Sequence, residues 1–183
     1  MKITASTNER LHYFIDKQEI LELVNRYCQA ADRHDHDALR ALYHADALDD
    51  HGAFFKGLAT DFIDKLPDIQ APMEILHHNV TTVNIEIDGD YAEGEVYILA
   101  FHKAAGPDGS IDVLIGGRYF DKYEKREGEW KFSHRVVVAD WVNIQDPSIV
   151  NLEHPFVAGS HIGCPGADDP SYAFFKLIKR QTP

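Results

Sequence analysis

A carboxylate at the C-terminal end of the first predicted helix is the clearest chemical feature of this sequence. Within residues 15–32 the apolar positions recur at spacings of three and four, which predicts one buried helical stripe of Ile20, Val24, Tyr27, Cys28 and Ala31. Asp32 continues the row of positions 20, 24 and 28, so its carboxylate points toward the interior. An unpaired buried carboxylate costs several kcal/mol or becomes protonated. Asp32 therefore needs a partner, and histidine is plentiful downstream.

Histidine is the partner that would give this carboxylate a catalytic use. His102 shares a face of a predicted strand with Val96, Ile98 and Ala100, which indicates that its ring projects into the interior. An ionised aspartate beside a histidine raises the pKa of the imidazole and fixes its tautomer, which produces a general base poised near neutral pH. Such a base contributes roughly 10²–10⁴ in rate.

Motifs of several other enzyme classes are absent from the sequence. It contains no P-loop, GxGxxG, HExxH or GxSxG, so nucleotide-dependent, zinc-protease and serine-hydrolase activities lose their support. We expect no metal and no organic cofactor, because the histidines are scattered without convergent ligands. One alternative stays open: His51, His78 and His102 would supply three metal ligands if the fold brought them together, with Asp32 as a further ligand or an orienting partner.

Composition limits the class of protein and its partners. At 183 residues, of which 44% are hydrophobic, the chain fits one domain. Its formal charge of −12 argues against binding to nucleic acid or an anionic membrane surface. No stretch approaches the roughly 18 apolar residues that a membrane span requires, and no secretory leader is evident, which favours a cytoplasmic protein. The two cysteines, Cys28 and Cys164, are expected to be reduced thiols.

The elements that must position these residues follow a helix-first order. Asp35 is predicted to cap a second helix ending near His44, a short strand covers residues 47–51, and a third helix at 58–66 is stopped by Pro67. From His77 onward the apolar positions alternate with a period of two. Turns at 88–90 and 127–128 and a loop at 104–110 separate a first strand from the strands 91–103, 111–126 and 129–142. This order predicts an α+β fold in which a curved antiparallel sheet wraps around the helices and leaves a pocket.

Several segments, in this order and spacing, resemble the SnoaL-like family of the nuclear-transport-factor-2-like superfamily. They are ADRHD at 31–35 and DALRALY at 37–43, LHH at 76–78 followed by VNIEIDGD at 83–90, and GRYFDKYEK at 117–125 closing with GEWKF at 128–132. The resemblance covers about residues 10–145 and leaves 146–183 as a tail or lid of one domain spanning 1–183. It implies a cone-shaped α+β barrel, often trimeric or dimeric, whose cofactor-free pocket serves dehydratases, dehydrochlorinases, isomerases and cyclases.

The resemblance also implies roles for individual residues. Asp32 and His78 correspond to the catalytic aspartate and histidine of scytalone dehydratase, lindane dehydrochlorinase and bile-acid dehydratase. His102 corresponds to a second pocket histidine of scytalone dehydratase, and Arg135 to a pocket arginine of lindane dehydrochlorinase. The orienting residues differ, because two water-holding tyrosines of scytalone dehydratase correspond here to Ala31 and His51, and its pocket serine and asparagine to Gly117 and Tyr119. The catalytic aspartate and histidine of scytalone dehydratase are therefore matched in this sequence, whereas the residues that orient scytalone are not.

One conflict arises between this resemblance and simple alternation. Strict alternation from Val83, Ile85 and Ile87 places His77 on their face, whereas the resemblance selects His78. Either a bulge near residues 81–82 re-aims the chain or His77 faces inward. We follow the resemblance and predict that His78 contacts Asp32.

These observations predict a cofactor-independent lyase or isomerase that acts on a small hydrophobic, cyclic or aromatic substrate. His78 with Asp32 would remove a proton, His102 or Tyr119 would assist the departing group, and Arg135 or His51 would hold negative charge. The expected walls, from periodicity and resemblance, are Leu23, Tyr27, Phe54, Leu76, Ile98, Tyr119 and Trp141. A polyketide-type cyclase, with Asp32 as the sole acid–base group, and a non-catalytic binding or assembly module remain alternatives on this fold.

An apolar outer sheet face predicts a homo-oligomer, with the trimer favoured over the dimer by resemblance. Its residues are Tyr97, Leu99, Phe101, Leu114 and Phe120.

Overall fold

The computed structural model of the protein describes residues 6–175 and Leu177. Three helices, α1 (Thr7–Asp32), α2 (His36–Ala41) and α3 (Ala59–Gln70), precede or flank two short strands, β1 (Tyr43–Asp50) and β2 (Lys56–Leu58). Four long strands follow, β3 (Met73–Asp88), β4 (Tyr91–Gly106), β5 (Gly109–Arg126) and β6 (Glu129–Gln145), and then a short helix α4 (Pro170–Phe174). The α+β order predicted from the sequence is therefore confirmed.

The six strands form one curved, unclosed sheet in the order β2-β1-β6-β5-β4-β3. Consecutive long strands pair antiparallel, whereas β1 returns to pair parallel with β6. The concave face packs on α1 and α3, and the buried core lies between them, with Val24, Ile63, Val96 and Phe132 each at most 1% exposed. Alternation along each strand thus separates a helix-covered inner face from an outer face.

Several boundaries differ from the predicted ones. Helix α1 begins at Thr7, eight residues earlier than expected, because Ser6 and Glu9 form a capping box. Helix α2 ends at Ala41, and β1 begins at Tyr43 instead of residue 47. The predicted loop at 104–110 is a tight turn between β4 and β5, whose strands continue to Gly106 and from Gly109. Strand pairing extends the elements beyond what local patterns indicate.

The prediction that Pro67 stops the third helix is wrong. Helix α3 continues through Pro67 to Gln70, although a proline removes one backbone hydrogen bond and crowds the preceding turn. The buried face of this helix includes Phe62, Ile63 and Leu66 and extends to Gln70. Packing of that face outweighs the local cost of the proline.

Two of the bulges in the sheet bear on the residues predicted from the sequence to face the interior. In β3 the register with β4 shifts between Val80 and Thr82, so Thr81 is an extra residue and alternation restarts after it. In β6 the register with β5 shifts between Ala139 and Trp141, so Asp140 is extra. The predicted bulge near residues 81–82 is confirmed, and the one at Asp140 is not apparent in the sequence.

The segment after β6 returns to the C-terminal end of α1. Arg33 donates hydrogen bonds of 2.9 Å from Nη1 to the carbonyl of Cys164 and to Oδ2 of Asp169, and its own carbonyl accepts from the amide of Gly166 at 2.9 Å. The predicted tail or lid reaches residue 183, and its residues 176 and 178–183 lie outside the described residues. Among the described helices, none is both long and apolar enough to cross a membrane.

Candidate active site

Asp32 and His78 are in direct contact, as the sequence predicts. The ring Nδ1 of His78 lies 2.6 Å from Oδ1 of Asp32, and the backbone amide of His78 donates to both carboxylate oxygens at 3.1 and 3.0 Å. Because an ionised carboxylate only accepts hydrogen bonds, the Nδ1 atom carries the proton in this contact. The Nε2 atom then holds the lone pair and makes no hydrogen bond to the described residues.

The local structure explains why these two side chains meet. Asp32 is the last residue of α1 and only 6% exposed, and α1 packs along the edge strand β3. The bulge at Thr81 places Leu76, His78 and Val80 on the inner side of β3 together with Val83 and Ile85. His77 is exposed on the other side, so the conflict at this pair is decided for His78.

His102 is the second histidine of this site. It pairs with Leu76 across β3 and β4, and its ring centroid lies 5.5 Å from that of His78. Its Nε2 atom is buried without a hydrogen-bond partner among the described residues. Burial lowers the pKa of His102 to about 4, assisted by repulsion from His78 and opposed by Asp32. At neutral pH this ring is therefore uncharged and can serve as a hydrogen-bonding group but not as a cationic acid.

A polar cleft of about 350 Å³ reaches Asp32 and His78 from the side of the C-terminal segment. Its lining includes Asp32, His78, Arg33, Ser171 and Cys28. Burial raises the pKa of the Cys28 thiol to about 12, so it stays protonated at neutral pH and is a poor nucleophile. The chemistry available here is proton transfer by imidazole.

Arg135 occupies a different position from the one expected of a pocket arginine. It is fully buried, and its Nε and Nη2 atoms each donate a 2.7 Å hydrogen bond to Asp121. Its guanidinium carbon lies 4.0 Å from the ring centroids of both Tyr27 and Tyr119 and 4.3 Å from that of Phe132. Its charge is already balanced by Asp121, so the expectation that Arg135 holds negative charge on a substrate is not supported; one atom, Nη1, lacks a partner among the described residues.

The other predicted binding residues divide into interior and exterior positions. Tyr27, Ile98 and Tyr119 are buried on the inner face, and the rings of Tyr27 and Tyr119 meet edge to face at 5.7 Å. Phe54 is 65% exposed, and its ring centroid lies 6.4 Å from that of His51 in an edge-to-face arrangement. The placement of Trp141 in the pocket is wrong, because the bulge at Asp140 pairs it with Gly116 on the outer face, where it is 49% exposed.

Several polar residues of the interior were missed in the sequence, among them Asp49, Asp121 and Asp169. Asp49 and Asp121 are at most 2% exposed, and each alternates with other inward residues of its strand, a signal that was available in the sequence. Asp169 binds Arg33 across 136 positions, a separation that no local pattern could reveal. Within the described residues no three His, Cys, Asp or Glu side chains converge as metal ligands, so the alternative set of His51, His78 and His102 is not assembled.

The low pKa of His102 predicts a pH dependence of stability. The folded protein takes up this proton only near pH 4, whereas the unfolded chain takes it up near pH 6.5, so stability should fall as pH decreases through that interval. The loss from this residue is at most about 3 kcal/mol, because the ring is not completely shielded from water. Urea unfolding of the wild type and of His102→Asn at several pH values should show a weaker decline in the variant. Parallel curves for the two proteins would contradict this assignment.

Comparisons with known proteins agree with the fold. The SnoaL-like domain family matches residues 13–136. A proposed scytalone dehydratase of Novosphingobium aromaticivorans superposes with a TM-score of 0.65 at 21% identity, covering 72% of this chain and 88% of the other. The hexachlorocyclohexane dehydrochlorinase LinA type 3 of Novosphingobium barchaimii gives 0.70 at 18% identity, covering 78% and 98%. A further structure, described as having a cystatin-like fold, comes from Nostoc punctiforme and gives 0.54 at 21% identity, covering 69% and 92%. No curated protein matches the chain in sequence.

Proposed function

The chain belongs to the SnoaL-like family of the nuclear-transport-factor-2-like superfamily, and on that basis we propose that it is a cofactor-independent lyase or isomerase of the dehydratase type. Its substrate is a small hydrophobic molecule, cyclic or aromatic, with an acidic C–H bond. The observation that carries this proposal is the 2.6 Å contact between His78 and Asp32, which leaves Nε2 of the ring available. The scytalone dehydratase and dehydrochlorinase neighbours support a reaction that begins with removal of a proton.

The contacts of Asp32 suit a general base. Both oxygens of its carboxylate accept a hydrogen bond from the backbone amide of His78. One of them also contacts Nδ1 of the ring, which fixes the ring tautomer. When Nε2 accepts a proton from carbon, the imidazolium that forms lies next to this buried negative charge and is stabilised by it. The electron pair of the C–H bond becomes a double bond, and a neighbouring hydroxyl, halide or other group departs, or the proton returns at another carbon.

Neutral His102 supplies a second polar contact to the substrate, in addition to the base His78. Its ring lies beside that of His78, and a substrate oxygen would satisfy the buried Nε2 atom, which lacks a partner among the described residues. Burial raises the pKa of Tyr119 well above its ordinary value, so this phenol acts as a neutral hydrogen-bond donor in the interior. Polar groups held at fixed points of the interior would orient a substrate with one or two oxygens.

The two rival functions differ in what they require of His78. A cyclase that uses Asp32 alone would not need the imidazole, and a binding module would need neither group to exchange protons. The short Asp32–His78 contact favours the lyase or isomerase, since a purely structural role is met at lower cost by apolar packing.

Hydrogen–deuterium exchange tests the proposal without knowledge of the natural substrate. Alpha-tetralone, a bicyclic aromatic ketone, is incubated in D2O with the protein, and loss of the proton next to the carbonyl is followed by NMR. We expect the wild type to accelerate exchange and His78→Gln to abolish most of the acceleration. Acceleration that survives in His78→Gln and disappears in Asp32→Asn would favour the cyclase-type use of Asp32, and no acceleration would favour the binding module.

We also expect the activity to be independent of metal ions, because imidazole supplies the base. Elemental analysis of the purified protein and exchange rates before and after treatment with EDTA measure this. Stoichiometric transition metal together with loss of activity on chelation would contradict the proton-transfer proposal.

Self-association through the outer sheet face is a further expectation. The face exposes Tyr97, Leu99, Leu114 and Phe120 at 37–41% each, with Trp141 beside them. Such a patch is large for a monomer, and closure of a homo-oligomer, a trimer by analogy, would cover it. Light scattering at micromolar concentration should give a multiple of 20.7 kDa, and Leu99→Glu should reduce the mass to that of one chain. A monomeric wild type would contradict the expectation.

A further inference from the structure

A second aspartate–histidine pair lies at the other end of the concave face. Asp49 is 1% exposed, and its Oδ2 atom accepts a 3.0 Å hydrogen bond from the hydroxyl of Tyr43. Its Oδ1 atom lies 3.0 Å from Nε2 of His51, an ion-pair distance without hydrogen-bond geometry, and neither atom has a hydrogen-bond partner among the described residues. The ring of His51 stacks on Phe62 at 4.2 Å, which fixes its plane.

The register of the sheet places this pair on the same face as His78. Asp49 pairs with Arg135 and Asp50 with Val136, so His51 comes next to Val137, whose partner on β5 is the inward residue Tyr119. His78 pairs with Ala100, which is also buried on the inner face. Both side chains therefore lie on the concave face of the curved sheet, near its opposite edges.

The two pairs differ in their contacts. His78 donates from Nδ1 to Asp32 and leaves Nε2 free, whereas His51 has Nε2 3.0 Å from Asp49 without hydrogen-bond geometry and leaves Nδ1 free, with no hydrogen bond to the described residues. In its imidazolium form His51 carries a proton on each ring nitrogen, with Nε2 next to the buried carboxylate and a proton on Nδ1 that it can donate. His102 cannot fill this role, because its pKa of about 4 leaves it neutral.

We infer that His51, positioned by Asp49, is the general acid that protonates the departing group while His78 removes the proton from carbon. This inference rests on the proposed function. In a dehydration, the C–H electron pair forms the new C=C bond, the C–O bond breaks with its electrons on oxygen, and the proton from Nδ1 of His51 completes a water molecule. His78 ends protonated and His51 neutral, and proton exchange through solvent restores both.

Benzisoxazoles separate the two roles, because base-catalysed ring opening breaks a C–H and an N–O bond and releases a cyanophenol. With a nitro group on the ring the phenolate leaves without help, whereas the unsubstituted phenolate benefits from a proton donor. We expect His51→Gln to change the rate for the nitro compound by less than about threefold and to lower that for the unsubstituted compound by about a hundredfold, within the range for general acid catalysis. His78→Gln should lower both rates alike.

Asp49→Asn tests the positioning role of the carboxylate. It should reproduce the leaving-group selectivity of His51→Gln with a smaller loss, while circular dichroism and urea unfolding verify that the variant is folded. A merely structural role for the pair would lower both benzisoxazole rates by the same factor. Equal losses, or no loss, in His51→Gln would overturn the inference while leaving the base role of His78 intact.

Binding of the product provides a measurement that does not depend on turnover. The unsubstituted cyanophenolate should bind about tenfold more weakly to His51→Gln than to the wild type, because it loses a charged donor. If the wild type opens neither benzisoxazole, the proposed function is contradicted, and this binding difference alone decides on His51. Unchanged affinity, or no binding to the wild type, would overturn the inference.

Discussion

Asp32→Asn and His78→Gln should each reduce catalysed proton exchange at least about a hundredfold while the protein stays folded, because each removes an essential part of one general base. Asn cannot stabilise the imidazolium that forms on His78, and Gln has no basic nitrogen. Neither change opens a large cavity, since both side chains are replaced by groups of similar size. Initial rates of deuterium incorporation into alpha-tetralone measure the effect.

The matched control is His134→Gln on β6. His134 is paired with Lys122 and Leu48, and Leu48 is 46% exposed on the outer face, so this histidine is remote from the interior. Its variant should keep the wild-type rate.

The double variant of Asp32 and His78 should be no slower than the worse single variant, because the two residues act as a unit. Rates within about threefold of the wild type in both single variants would contradict the mechanism.

The inward orientation of Asp32 could be predicted from the sequence because helical periodicity stays regular over many residues. Four positions spaced by four, from Ile20 to Asp32, already define the direction in which the carboxylate points. A helix of 26 residues keeps that phase to its end, so one polar residue on the buried face stands out.

The strand residues were harder to assign because one extra residue inverts the phase. Thr81 and Thr82 suit either face of a strand, so alternation cannot locate the bulge between them, and only the resemblance selected His78. At Asp140 no such guide existed, and Trp141 was assigned to the wrong face. Local patterns fix the face of a strand residue only up to the nearest bulge.

Polar groups buried by contacts between distant strands were the least predictable part. The guanidinium of Arg135 is enclosed by rings from α1, β5 and β6. Which groups surround it therefore depends on how the sheet curves around the helix. The sequence indicates an arginine on a strand but does not reveal that Asp121 pairs with it. Arg135 is therefore paired with Asp121 within the fold, and its expected role in substrate binding stays a prediction.

The Arg135–Asp121 pair should be the most sensitive polar contact of the fold. Burial alone would lower the pKa of Arg135, yet attraction to Asp121 and the hydrogen bonds between them raise it well above its ordinary value. Asp121 also accepts a 2.8 Å hydrogen bond from the hydroxyl of Tyr123. The two charges therefore balance each other at a site where both side chains are fully buried, and removal of either leaves the other uncompensated.

We expect Arg135→Met to lower the free energy of unfolding by about 3–5 kcal/mol, because it leaves the carboxylate of Asp121 buried with a single phenol as its donor. Asp121→Leu should cost a similar amount for the opposite reason. The double variant Asp121→Leu with Arg135→Met should recover much of the loss, since apolar groups of similar volume often replace a buried ion pair without penalty. Urea unfolding of the four proteins gives the coupling free energy directly. A coupling near zero would mean that the two charges stabilise the fold independently, which their 2.7 Å contacts and complete burial argue against.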